Sequence, residues 1–495
     1  MTTTFSINKA IYSIVGSLLI CTLFCISCSK DDPGMSGEGE GENSNLTVDF
    51  DLPDGRIYNN CGVTFTDKST GATTYEWDFG DGIKSTDESP VHAYSNPGNY
   101  TVTLMVTKDD DTQEKSEDIQ VYQLNTFRKS FGESGVAERG RSVALDKDGN
   151  YVIVGSKNID ILSFRILWTK ISPEGNVLSE KIHGGPSNEY VSSMVKASDG
   201  SFVVGHSSAN FGTSRDFAIT KLSNDGDLIW ASGFPSGFDA QDDVLNIIRT
   251  QDNNYLLVGR TASNTAGGRD GLIMKVDDSG NLIWSKTYGG SSDDSISGAY
   301  ALSDGGYVLA GSSSSGGSGT PDFWLVKTDG NGIKQWDNYY GTSGSDGAGP
   351  ILETEDGGYI LAGRSKGLGS DDSFSLIYKL DQNGNVQWSK EINNSNYDEF
   401  LRSIISATDG GYIFCGSSAS SQIIDSDDAY LFKIDENGNK VWSKTFGTSS
   451  NGDNDEFYDV AALDECTYVA IGVMELPNSY ADNFLVRVDL DGNAQ

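Results

Sequence analysis

Histidine, cysteine and proline are scarce: three, six and ten among 495 residues. None of His92, His183 and His206 stands beside a serine or cysteine in a recognisable motif, which removes the usual signature of nucleophilic catalysis. No C-x-x-C pair or Cys/His cluster exists, which excludes a zinc or dithiol module. Patterns of helical period are missing, and with them the glycine-rich strand–helix unit that cradles phosphates. Basic residues number 35 against 71 acidic ones, a formal charge of −36. Such a chain is repelled by nucleic acid and by anionic lipid surfaces. Long apolar runs are confined to the first 28 residues.

Glycine is abundant at 59 residues, and it is periodic. From residue 124 onward one pattern recurs, clearest in Asp304-Gly305-Gly306-Tyr307-Val308-Leu309-Ala310-Gly311. The aromatic after the turn returns as Tyr151, Phe202, Tyr255, Tyr307, Tyr359, Tyr412 and Tyr468, at steps of 51, 53, 52, 52, 53 and 56 residues. Each copy holds four short apolar or alternating runs bounded by Gly, Asp, Asn and Ser, which read as strands and turns. Four antiparallel strands per unit, seven times over, predict a ring of seven β-propeller blades. The last copy stops before its fourth run, and Phe127-Arg128-Lys129-Ser130-Phe131-Gly132 matches Trp442-Ser443-Lys444-Thr445-Phe446-Gly447 position for position. The closing blade is therefore expected to be built from both ends of the domain, removing two open sheet edges.

The runs Asp277-x-x-Gly280-x-x-x-Trp284, Asp381/Gly384/Trp388 and Asp435/Gly438/Trp442 resemble the tryptophan-docking repeat of quinoprotein-type propellers, one residue shorter. In placement they are similar to the Asp-box hairpin of sialidases. The resemblance implies scaffold: Trp230, Trp284, Trp336, Trp388 and Trp442 each pack a fourth strand on its neighbour. Burying about 150–250 Å² of ring is worth up to about 4–6 kcal/mol before entropy is counted. A row of sugar-stacking platforms is the other reading. Copy one has Ser179 at this position, so blade one is expected to be held less firmly.

Residues 1–27 read as a targeting segment, with Lys9 ahead of an apolar run from Ile11 to Ile26. Cys25-Ile26-Ser27-Cys28 resembles a bacterial lipobox, which implies Cys28 as the lipidated first residue of the mature chain. Ser29-Lys30-Asp31-Asp32 looks like the acidic export tag of surface lipoproteins in some gram-negative bacteria. Two or three acyl chains suffice for stable membrane anchoring. Residues 28–46, rich in Gly, Glu, Ser and Asp, form a self-repelling tether. Cys415 reads as a small buried hydrophobe, with a disulfide to Cys466 as the alternative.

Between residues 47 and 123 stands Trp77-Asp78-Phe79-Gly80-Asp81-Gly82, followed by the alternating Val102, Leu104 and Val106. This segment resembles a PKD domain, which implies an immunoglobulin-like sandwich acting as spacer or binding module. Asp78 and Asp81 read as carboxylates bonding turn amides. The fold class is thus all-β, a sandwich followed by a propeller over 124–495.

Loops between second and third strands vary in length and are polar, the usual place for binding on a rigid scaffold. Each blade also carries a carboxylate at the start of its innermost strand: Glu138, Glu189, Asp243, Asp294, Asp346, Glu399 and Glu456. Seven such groups around one mouth of the channel would repel each other unless a cation such as Ca²⁺ sat among them. The simpler reading has each one capping its own inter-blade link. Asp-x-Asp-Gly-Asn at Asp146 to Asn150 and Asp489 to Asn493 lacks the downstream glutamate of an EF-hand loop and reads as a hairpin turn. Arg260, Arg364 and Arg402 occupy sites of weak equivalence. The expectation is a monomeric, lipid-anchored outer-membrane or cell-surface binding protein, not an enzyme, that captures an extracellular glycan or protein. A carbohydrate-active or quinoprotein-like enzyme and a structural envelope component are the alternatives.

Overall fold

The computed structural model describes residues 45–494, apart from 54–55, 161–162, 212–213, 236–240, 264, 266, 319, 367–372, 393–398, 420–426, 448–453 and 477–479. The targeting segment, Cys28 and most of the tether lie outside the described residues. No helix among the described residues is long and apolar enough to cross a membrane.

The first body is a small sandwich. Five strands run in the order Ile57–Tyr58, Asp111–Tyr122, Gly98–Lys108, Thr74–Asp78 and Lys84–Ser85. Two short pairs complete it, Phe50–Asp51 with Thr66–Asp67 and Gly62–Thr64 with Val91–Ala93. Trp77 and Phe79 are fully buried with Phe50, Phe65 and Tyr94. Gly80 has φ 78°, and a Cβ there would lie 2.6 Å from the Thr101 carbonyl, so only glycine fits the turn. Asp78 and Asp81 accept the amides of Gly80 (2.9 Å) and Ile83 (3.0 Å). Buried His92 stacks on Phe79 with its Nε2 2.9 Å from Asp81.

The second body consists, among the described residues, of seven four-stranded antiparallel sheets. In chain order the blades begin at Glu138 (blade 1), Glu189 (blade 2), Asp243 (blade 3), Asp294 (blade 4), Ser345 (blade 5), Glu399 (blade 6) and Glu456 (blade 7), and blade 4 is representative: Asp294–Ala301, Tyr307–Ser313, Asp322–Thr328 and Lys334–Tyr340. First strands of consecutive blades touch, and that of blade 7 (Glu456–Asp464) touches that of blade 1 (Glu138–Leu145), so the ring is closed. Closure follows the expected register: Phe127 pairs with Arg487 and Phe131 with Asn483, which makes Phe127–Phe131 the fourth strand of blade 7.

Each fourth-strand tryptophan covers the hairpin glycine of the next blade. A Cβ on Gly280, Gly332, Gly384, Gly438 or Gly492 would meet Trp230, Trp284, Trp336, Trp388 or Trp442 respectively. Phe127 performs this for Gly175 of blade 1. Blade 1 corrects the expectation of a loose joint. Its Ser179 is replaced in function by Trp168 from the third strand, fully buried over Gly226 of blade 2.

The two bodies are joined covalently. Cys466 pairs with Cys61 of the sandwich, 405 residues away, and not with Cys415, which is free and buried. Cys466 lies in the hairpin between the first and second strands of blade 7, so the sandwich docks on the hairpin face of the ring. There the Arg487 guanidinium lies 4.6 Å from the Tyr58 ring centroid, and Arg56 pairs with Glu174 at 3.6 Å.

A disulfide closing so long a loop contributes about 2–5 kcal/mol. Replacing Cys61 and Cys466 by serine is expected to split the melt into a lower sandwich transition and a ring transition. A calorimetric trace left as one unshifted peak would refute the coupling. Acid should act through the first hairpins. Lys379 and Thr354 hold the Asp356 carboxyl at about 2. Burial raises Asp199 and Asp252, but Ser201 with Lys221, and Lys275 with Thr250, outweigh it and hold both at about 2. Depressed carboxylates stabilise above their unfolded pKa, near 3.9, and lose that contribution as pH falls through the folded value. Melting temperature should therefore drop between about pH 4 and pH 2. The drop should be shallower in an Asp199→Asn, Asp252→Asn, Asp356→Asn variant, as scanning calorimetry across that range would show.

Candidate functional site

Every first strand carries a β-bulge at the same height, between Gly140/Ser142, Val191/Ser193, Val244/Asn246, Ile296/Gly298, Ala348/Ile351, Leu401/Ser403 and Phe457/Asp459. A bulge leaves one residue without a partner across the ladder and re-aims its side chain. Here the re-aimed residues include Arg141, Ser192, Leu245, Ser297, Arg402 and Tyr458, and they line the half of the axial channel nearer the second-to-third-strand loops. The cavity measures about 410 Å³ and is also walled by Tyr190, Arg215, Asp243, Arg260 and Asp459.

Its electrostatics run against those of the whole chain. The Arg141 guanidinium lies 3.8 Å from the Tyr458 ring centroid, and that of Arg215 4.8 Å from Tyr190. Arg364 stands 4.2 Å over Phe400, while Arg402 reaches both Phe400 and Tyr458 and pairs with Glu456. Asp243 gathers Arg215 (2.5 Å), Arg260 (2.8 Å) and Arg269 (3.9 Å). Asp459 accepts from Ser142 Oγ, the Val143 amide, Ser403 Oγ and the Val460 amide at 2.7–3.1 Å. Burial in the wall nevertheless pushes its carboxyl up, which disfavours its charge. Arginine outweighs carboxylate in the lining of this cavity, and the Tyr458 face holds the Arg141 guanidinium without neutralising it.

The seven carboxylates named from the sequence do not form one set. Glu138, Glu189, Asp294, Asp346 and Glu399 occupy equivalent buried positions. In blades 3 and 7 that position belongs to Asp242 and Asp455, not to Asp243 and Glu456. The backbone amides of Asp242, Asp294, Asp346 and Asp455 each bond the carbonyl at or just before the start of the preceding blade's third strand, at Arg215, Arg269, Pro321 and Asp427. Allowing either 12 or 13 residues before the hairpin aromatic misses this, whereas a constant 13 reaches Asp242 and Asp455; in both blades an acidic doublet offers a second carboxylate, which turns into the channel. The ring positions are engaged locally: Glu138 with Lys157 (2.8 Å) and Asn483 (2.9 Å), Asp294 with the Gly290 amide (2.8 Å) and Ser315 (2.7 Å), Asp346 with the Thr342 amide (2.5 Å). Among the described residues, no three His, Cys, Asp or Glu side chains converge to hold a metal ion.

The class these observations define is an all-β protein with an immunoglobulin-like sandwich docked on a propeller-type ring. Residues 49–122 match the family model described as PKD domain. Over 138 residues the chain is 30% identical to the collagenase ColQ1 of Bacillus cereus (strain Q1), an alignment that takes in 26% of this chain and 14% of that protein's length. Among solved structures, the PKD1 domain of Vibrio anguillarum Epp is 30% identical, covering 17% of this chain and all of that one (TM-score 0.15). A protein of unknown function from Dyadobacter fermentans is 11% identical, covering 74% of this chain and 98% of that one (TM-score 0.45).

Because Glu138, Asp294 and Asp346 are held by donors of their own joints, a chelator should find no shared ion to remove. Melting temperatures in millimolar calcium and in EDTA are expected to coincide, and a downward shift on chelation would reinstate a shared cation.

Proposed function

We propose that the chain is a lipid-anchored, surface-displayed binding protein whose axial channel takes an anionic polar ligand, an acidic glycan above all. The observation that carries this is the arginine-lined cavity in a protein of net charge −36. Arg141 and Arg402 sit on equivalent bulges, and their aromatic partners leave hydrogen-bond donors to spare for a carboxylate or sulfate. Neighbouring Ser192, Ser297 and Ser403 suit hydroxyl-bearing ligands. Two further features support display outside the cell: a disulfide persists in oxidising compartments, and the sandwich matches a PKD domain. The sandwich docks on the hairpin face, opposite the loops between second and third strands. A second reading, a carbohydrate-active enzyme, rests on Asp459, a carboxyl in the same wall whose burial disfavours its charge.

The test is a glycan array probed with the chain and with an Arg141→Ala, Arg402→Ala variant. Uronate- or sulfate-bearing glycans should be retained, with affinity falling about 10–100-fold in the variant, as expected for losing charged hydrogen bonds, and falling with added salt. Retention of neutral glycans only, insensitive to both changes, would overturn the reading. Shortened glycans recovered from the array would favour the enzyme instead.

A further inference from the structure

Seven copies of one unit provide an internal standard, and blade 2 departs from it twice on one face. The fourth residue after each hairpin aromatic is glycine in six blades: Gly155, Gly259, Gly311, Gly363, Gly416 and Gly472. A Cβ at any of these would lie 1.7–2.2 Å from a first-strand carbonyl. Blade 2 carries His206 there, 1% exposed. The second departure lies across the sheet. Two residues after the aromatic, the third-strand partner is Met274, Val326, Tyr378, Phe432 or Val486 in blades 3 to 7, but Thr220 in blade 2. Blade 1 also has a threonine at that register, Thr169, but keeps its glycine, so the two changes coincide in blade 2.

The two polar residues are tied together. His206 Nδ1 donates to Glu189 at 2.9 Å, and Nε2 accepts from Thr220 Oγ1 at 2.9 Å in the neutral ring. Asn210 donates to the other Glu189 oxygen at 2.7 Å. Beside them lies a cavity of about 450 Å³ between blades 1 and 2, with His183 on the opposite wall and Phe211, 38% exposed, at its lip. The order carboxylate, imidazole, hydroxyl is that of hydrolytic triads, but Thr220 lies in mid-strand, paired with Val204 on one side and Ala231 on the other. No strained elbow presents its hydroxyl, and hydrolysis does not follow.

We propose that this cavity is a second ligand site, separate from the channel, for a neutral sugar of one or two rings. Its volume falls within the range of small-ligand pockets, about 300–1,000 Å³. Phe211 supplies an apolar face for the ring, while imidazole, amide and hydroxyl groups supply donors and acceptors for hydroxyls. Charge is not wanted. Among the described residues no lysine or arginine lines the cavity, and Glu189 is already engaged by His206, Asn210 and the Gly185 amide.

The test is saturation-transfer NMR on the full chain with glucose, galactose, mannose and N-acetylglucosamine, with glucuronate as the charged control. At least one neutral sugar should give a saturable signal that glucuronate does not displace. Thr220→Met, which gives blade 2 the residue of blade 3, should weaken that binding at least tenfold without lowering the melting temperature. Phe211→Ala at the lip is a surface change that leaves the fold intact, and it should weaken binding to a similar degree. The proposal is overturned if no neutral sugar gives a saturable signal, or if Phe211→Ala binds as tightly as the wild type. Because Arg141 and Arg402 line the other cavity, their replacement should leave neutral-sugar binding unchanged.

Discussion

One ion pair, made seven times, holds this ring in register. In every blade the aspartate of the first hairpin meets a cation on the third strand: Asp146 with Lys170, Asp199 with Lys221, Asp252 with Lys275, Asp304 with Lys327, Asp356 with Lys379, Asp409 with Lys433 and Asp464 with Arg487. The cations are largely buried and most of the aspartates half exposed, so each lysine runs its stem through the sheet and brings its charge out at the hairpin face. An exposed pair is worth little. These differ, because losing the carboxylate would leave an ammonium enclosed without a counter-charge. The pair spans the second strand and fixes first hairpin to third strand, which sets the height of every bulge above it. The channel wall inherits its order from the opposite face.

Much of this was legible in the sequence because it is periodic. Hairpin aromatics gave the number of units, and the match of Phe127–Gly132 to Trp442–Gly447 gave the closure. What stayed hidden was either non-local or a slip of one residue. The Cys61–Cys466 bridge crosses 405 residues and two folds, and nothing in either local sequence points to the other. Acidic doublets at Asp242-Asp243 and Asp455-Glu456 put the wrong member in the ring position, because a one-residue slip sends a strand side chain to the other face. Trp168 was passed over because it stands on a third strand, whereas the other joints use the fourth. The lysine partners recur as regularly as the tyrosines, and aligning the third strands by period exposes them. His206 was within reach too: counting four residues from each aromatic finds six glycines and one histidine.

Composition misled about charge for a related reason. A total of −36 describes the solvated hairpins and loops, where carboxylates such as Asp277, Asp381 and Asp435 bond turn amides and are held ionised. The channel is set apart from that surface. Its wall is drawn from the bulged residues of six strands far apart in sequence, so no window of the chain is basic. Arg141 and Arg402 are separated by five blades along the chain, yet both reach Tyr458. Only ring closure brings them together.

Repetition also gives the departures their meaning. A propeller needs each blade to fill its joint with apolar bulk and to keep glycine where the bulged carbonyl comes close. Five of the blades obey on both counts. Blade 1 keeps its glycine and exchanges one tryptophan for another, and the joint is still filled. Blade 2 departs by placing a histidine where the others keep glycine, with a threonine beside it, and a cavity lies next to the pair. The first exchange conserves packing, as a purely structural substitution must. The second buries an imidazole and a hydroxyl where blades 3 to 7 bury apolar side chains beside glycine, an exchange that stability alone does not favour. The sandwich is fastened to the hairpin face, whereas the bulges that wall the channel and the residues that line the blade 2 cavity lie toward the opposite side, where loop length varies most.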